Sequence, residues 1–79
     1  MAYDPRGMSF ERWSALTAQS LLPYGSVASS AKEENWKQWG ESVKNVPALQ
    51  ARSVPSTRGF SDWQSWAFRL NEGLRSLGL

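Results

Sequence analysis

The side chains that could do chemistry in this chain are few, and their types are wrong for most enzymes. There is no His and no Cys, so neither a Ser–His or Cys–His nucleophile pair nor a zinc site of the usual Cys/His kind can be built. None of the serines stands in the Gly-x-Ser-x-Gly setting of a nucleophile elbow. Lys32, Lys37 and Lys44 could serve as bases, yet all three fall on the polar face of one expected helix, where a solvated ammonium is the better account. The acids Asp4, Glu11, Glu33, Glu34, Glu41, Asp62 and Glu72 show no calcium-loop spacing, and no glycine-rich phosphate loop accompanies them. Glu33 and Asp62 fall in expected first turns, where a carboxylate complements the helix dipole. The chain therefore reads as non-catalytic, with no cofactor, no metal and no small-molecule substrate.

The other residues with functional potential are the tryptophans. Trp36 and Trp39, and again Trp63 and Trp66, stand three apart, which puts each pair on one helical face. Exposed, such pairs could stack on sugars, or on single-stranded bases beside an arginine. Buried, they are core. Five Trp, three Phe and two Tyr in 79 residues favour the core, because each ring buries about 150–250 Å² and a chain without disulfides has few other ways to hold together. The residues expected to form the core or to pack on a partner are Phe10, Trp13, Trp36, Trp39, Val43, Phe60, Trp63, Trp66, Leu70 and Leu74. Five Trp are many for so small a core, and Trp dominates interface hot spots. Tyr3, Tyr24, Leu49, Val54 and Phe68 are the candidates for facing a partner.

The elements that must position these rings are helices. Residues 1–8 read as an extended arm, since Asp4-Pro5 and Gly7 are turn formers and no periodicity begins before Phe10. Ser9 is the expected cap of a first helix over about 10–22, with Met8 and Trp13 as a hydrophobic staple, and Pro23 stops it. Ser30 to Glu33 matches a capping box for a second helix over about 31–45, whose apolar face is Trp36, Trp39, Val43 and Val46. Residues 47–59 form a connector containing Pro47, Pro55 and Gly59, long enough to imply a role. Its apolar Leu49, Val54 and Pro55 suggest that it lies across the helices. A third helix over about 62–77 begins with Ser61 as cap and Gln64 three later. It carries Trp63, Trp66, Leu70, Leu74 and Leu77 on one face, with Phe68 pointing elsewhere and Gly78 as the stop. The expected fold is all-α: one three-helix domain over residues 1–79.

Two local echoes run through this pattern. Asn35 to Gly40 parallels Asp62 to Ala67, and Phe10 to Trp13 parallels Phe60 to Trp63. Helices packed together need a large ring near each N-terminus and small residues where backbones approach, which accounts for the matches without invoking duplication.

Formal net charge is +2, from nine Lys and Arg against seven acids, and the pI is about 9.4. The cations form no run, whereas a dedicated nucleic-acid binder concentrates them on one face. No apolar run approaches the roughly 20 residues that span a bilayer, and the first residues lack the apolar centre of a signal peptide. Cations mixed with Glu also argue against a helix lying in a lipid surface.

The segments Phe10 to Trp13, Trp36 to Gly40, Val54-Pro55 and Phe60 to Ala67, taken in that order, resemble the plan of short Trp-rich virion proteins of tailed bacteriophages. The likeness covers roughly residues 9–75, with Gly40 where the plan has Ala. That substitution weakens the helix locally and suggests close contact with a neighbour. The resemblance implies a minor structural component of a phage particle, made in the host cytoplasm and built into the virion. It would bridge or decorate capsid, neck or tail subunits in a symmetric multi-copy assembly. Its partners would then be other virion proteins, with no specific nucleic acid and no membrane. Two alternatives remain at this level: a small regulatory or nucleic-acid-binding helical protein, which would bind in a salt-sensitive way, and a carbohydrate-binding module with exposed Trp.

Overall fold

A computed structural model describes residues 3–49 and 53–79; within them all regular structure is helical. Three α-helices, α1 (Phe10–Leu21), α2 (Trp36–Lys44) and α3 (Trp63–Arg75), are separated by segments that contain short 3-10 turns. Ser9 begins α1 in extended conformation, its hydroxyl accepting from the Arg12 N–H at 3.2 Å. The other two caps depart from expectation. Ser30 does not cap α2. The first turn there is a 3-10 turn, Glu33–Asn35, and the free Glu33 N–H is taken by the carboxylate of Glu11 on α1 at 2.8 Å. A tertiary acceptor thus replaces the local one. On α3 the cap is Asp62, one residue beyond Ser61, and its carboxylate receives both the N–H and the hydroxyl of Ser65. Gly78 closes the α3 end with φ of +86°. There the Leu79 N–H reaches the Leu74 carbonyl and the Gly78 N–H the Arg75 carbonyl, the paired bonds of a Schellman motif.

Six aromatic rings interlock at the centre. Phe10, Trp13, Trp39, Trp63 and Trp66 are buried, and Trp36 flanks them half-buried. Neighbouring ring centroids lie 5.3 to 6.2 Å apart, and five of the eight pairs meet edge to face. This is the favoured arrangement of ring quadrupoles, and each such pair contributes about 0.5–1.5 kcal/mol beyond its burial. Val43, Leu70 and Leu74 complete this centre, and Phe60 packs on it half-buried.

Each of the three helices returns one indole to the segment that precedes it. The Nε1–H of Trp13 donates to the Tyr3 carbonyl at 3.2 Å, that of Trp39 to Ala28 at 2.6 Å, and that of Trp66 to Pro55 at 2.9 Å. The sequence separations are 10, 11 and 11. Three positions before each latching Trp stands another ring, Phe10, Trp36 or Trp63, and immediately after it a small buried residue, Ser14, Gly40 or Ala67. The echo in the sequence is therefore threefold, and it pairs Phe10 with Trp63, not with Phe60. Each unit is a strap followed by a helix. The first and third straps agree further: Asp4 and Ser56 accept the N–H two residues on and open 3-10 turns at Pro5–Gly7 and Thr57–Gly59. The first residue of each turn, Pro5 or Thr57, is fully buried.

The straps lie on the helices in cyclic order. The second meets α1 through the Glu33–Glu11 bond, and the third meets α2, where Glu41 accepts the Thr57 N–H and hydroxyl at 3.2 and 2.9 Å. The first meets α3: Asn71 donates to the Tyr3 carbonyl at 2.9 Å, and the Arg6 guanidinium sits 4.6 Å over the Phe68 ring. So the expected extended arm is packed from Tyr3 onward; Met1 and Ala2 lie outside the described residues. The connector is likewise held down, by the 3-10 turn Pro47–Leu49 and by the Thr57–Glu41 bonds; Gln50, Ala51 and Arg52 lie outside the described residues.

Candidate interaction surface

The tryptophans do not form a stacking platform. Trp13, Trp39, Trp63 and Trp66 are enclosed, and Trp36 is half-buried, with the Lys37 ammonium 5.7 Å from its ring centroid. Of the residues expected to face a partner, Leu49 and Val54 belong to the core instead, with 0% and 1% of their surface accessible. Their backbones run across the helices as the apolar pattern suggested, but the side chains point beneath. Tyr24 is half-buried and reaches the Leu77 carbonyl with its hydroxyl at 3.4 Å. Tyr3 and Phe68 are half-buried at the junction of the first strap and α3. The close neighbour of Gly40 is internal: a Cβ there would collide with the Thr57 methyl and approach the Trp66 ring to 2.9 Å.

Four of the acidic residues hold caps and straps in place. Four carboxyls titrate below their ordinary values. Asp4 is lowered by the Arg6 N–H, Glu11 by the Glu33 N–H, Glu41 by the Thr57 hydroxyl and N–H, and Asp62 by the Ser65 N–H and hydroxyl. Each shift favours the anion because the donor stabilises charge. The direction opposes that needed in a general acid at neutral pH. Among the described residues no three acidic side chains converge as metal ligands, and no helix is long and apolar enough to cross a membrane.

What the surface does present is an apolar groove that the sequence did not announce. Leu22, at the end of α1, is 60% exposed, the one large hydrophobic residue so exposed among those described. It borders a groove of about 350 Å³ lined by Ala15, Ala18, Gln19, Val27 and Ser29. The available signal was the doublet Leu21-Leu22 just before Pro23. Adjacent residues on a helix point about 100° apart, so two leucines cannot both face one core. Leu21 is buried and Leu22 is left outside. A second groove, of about 500 Å³, lies between the first strap and α3 and is lined with charge: Asp4, Arg6, Glu72 and Arg75, beside Tyr3, Phe68 and Asn71.

Comparison of the chain with protein-family models, with curated proteins and with solved structures returns no match.

Proposed function

We propose that this chain is a non-catalytic packing module that joins larger protein subunits through surface contacts. The observation that carries this reading is Leu22, held out to solvent beside an apolar groove while Phe10, Trp13, Trp39, Trp63 and Trp66 are closed into one core. An apolar side chain held that way offers a contact that another protein surface can cover. Four of the seven acid groups, Asp4, Glu11, Glu41 and Asp62, are committed to caps or straps and leave little for a reaction to use.

The setting we propose is the virion of a tailed bacteriophage, where the chain would bridge or decorate capsid, neck or tail subunits in many copies. The support for that setting is the order of the aromatic segments from Phe10 to Ala67 and their likeness to small virion proteins. The experiment is quantitative mass spectrometry of particles washed in high salt. The chain is expected at a fixed ratio to the major capsid or tail protein, and its loss on washing would overturn the assignment.

A further inference from the structure

From Trp13 to Ala31 no residue carries a charge, although the chain holds nine Lys and Arg and seven acids. This stretch forms most of α1, the turn after it and the start of the second strap. It contains the exposed Leu22 and every residue that lines the apolar groove. Covering this face desolvates no ion.

The helical wall of the groove is complementary to itself. Ala15, Ala18, Gln19 and Leu22 follow at spacings of three, one and three, which place them in one stripe over two turns. Those spacings read the same in both directions. Two such stripes laid antiparallel, about a twofold axis midway between Ala18 and Gln19, therefore set Ala15 against Leu22 and Ala18 against Gln19. Each facing pair joins a small side chain to a longer one, the pattern that lets packed helices interdigitate. Leu22 is the projecting member, 60% exposed, and Ala15 leaves room for it, with Val27 and Ser29 also lining the groove. Two copies carry the same net charge of +2 and repel one another at long range. This face lets them touch without bringing like charges together.

We propose that the α1 face is covered by the same face of a second copy of this chain. The two α1 helices lie antiparallel, and Leu22 of each copy sits in the groove of the other, beside Ala15. The contact is isologous, so one pair closes it and it does not propagate. This rests on the reading of Leu22 as a packing contact and names what packs there: the module that joins larger subunits is a pair.

The test is sedimentation of the full chain from about 1 μM to about 1 mM, which is expected to show a monomer–dimer equilibrium. Leu22→Glu alone and Ala15→Lys alone should each weaken the dimer by about tenfold or more, because each sets two charges against apolar side chains. Mixed in equal amounts, the two variants should associate again. One of the two contacts is then Ala15 against Leu22, as in the unmodified pair, and the other sets the new Lys against the new Glu. The chain has no Cys, so Ala15→Cys and Leu22→Cys give a second measurement should a charged variant fold poorly. Mixed under mild oxidation, they should form the heterodisulfide in excess of the statistical proportion. A monomer throughout, a mixture of folded charge variants that associates no better than either alone, or disulfides in statistical proportion overturns the proposal. Presence of the chain in washed particles is scored separately. A monomer found there at fixed ratio would refute the pair and leave the packing-module reading standing, and a dimer absent from particles would do the opposite.

Discussion

The indole nitrogen of Trp66 lies 2.9 Å from the carbonyl oxygen of Pro55. Three residues earlier on the same helix, the equally buried indole nitrogen of Trp63 has no acceptor. The two rings share a core but differ in what their polar atom does. Replacing Trp66 with Phe strips a part-buried carbonyl of its donor, whereas Trp63→Phe removes an N–H that was already unpaired. Trp66→Phe should therefore cost about 1–3 kcal/mol more than Trp63→Phe in urea unfolding. Equal costs would show that the strap is held by ring packing alone.

Gly40 and Gly59 should respond oppositely to a methyl group. At Gly40 the new Cβ meets the Thr57 methyl and the Trp66 ring, so Gly40→Ala is expected to lower stability by about 1–3 kcal/mol despite the better helix propensity of Ala. At Gly59 nothing lies within 4 Å of the new atom and φ is not positive. Gly59→Ala should leave stability unchanged or raise it by up to about 1 kcal/mol, through the unfolded chain. Thermal melts of the two variants decide the matter.

Stability should fall on acidification, and Glu41 should account for part of the fall. Its carboxyl is held below its ordinary value of 4.5, first by the Thr57 hydroxyl and then by the Thr57 N–H. A depressed folded-state pKa stabilises the fold above the unfolded value and loses that contribution as pH drops through the folded value. The loss should therefore begin below about pH 4.5 and continue through the depressed value. Asp4, Glu11 and Asp62, all shifted in the same direction, add to it. Glu41→Gln should flatten the profile measured by urea midpoints between pH 6 and pH 3, because Gln cannot titrate.

Leu22→Glu should separate folding from association. The side chain is 60% exposed, so stability should change by no more than about 0.5 kcal/mol. Incorporation into the proposed assembly should drop sharply, because a carboxylate on an apolar rim must be desolvated when the rim is covered. A destabilisation above about 2 kcal/mol would instead place Leu22 in the chain's own core.

The helices were legible because their signals are local. Ser9, Pro23, Gly78 and the three- and four-residue spacing of Trp63, Trp66, Leu70 and Leu74 act within a turn or two. The misread details depend on distant residues. Ser30 lost its capping role because Glu11, 22 positions away, supplies the acceptor at Glu33. Leu49 and Val54, candidates for facing a partner, sit in a stretch whose prolines exclude a regular element, yet an apolar side chain on an irregular backbone is buried as readily as one on a helix. The surface groove was less legible still. It is lined largely by small side chains, Ala15, Ala18 and Ser29, which no pattern of large residues reveals.

The carbonyl of Tyr3 accepts from Trp13 and from Asn71, 68 positions apart from it in the second case. Such a bond cannot form until nearly the whole described chain has been gathered, and closing so large a loop carries an entropic cost that grows with its length. Folding should accordingly be slower than in an up-and-down bundle of equal size, where neighbours in sequence are neighbours in space. Once made, the bond links α1 and α3 through a single oxygen, so protection from hydrogen exchange in those two helices should rise and fall together.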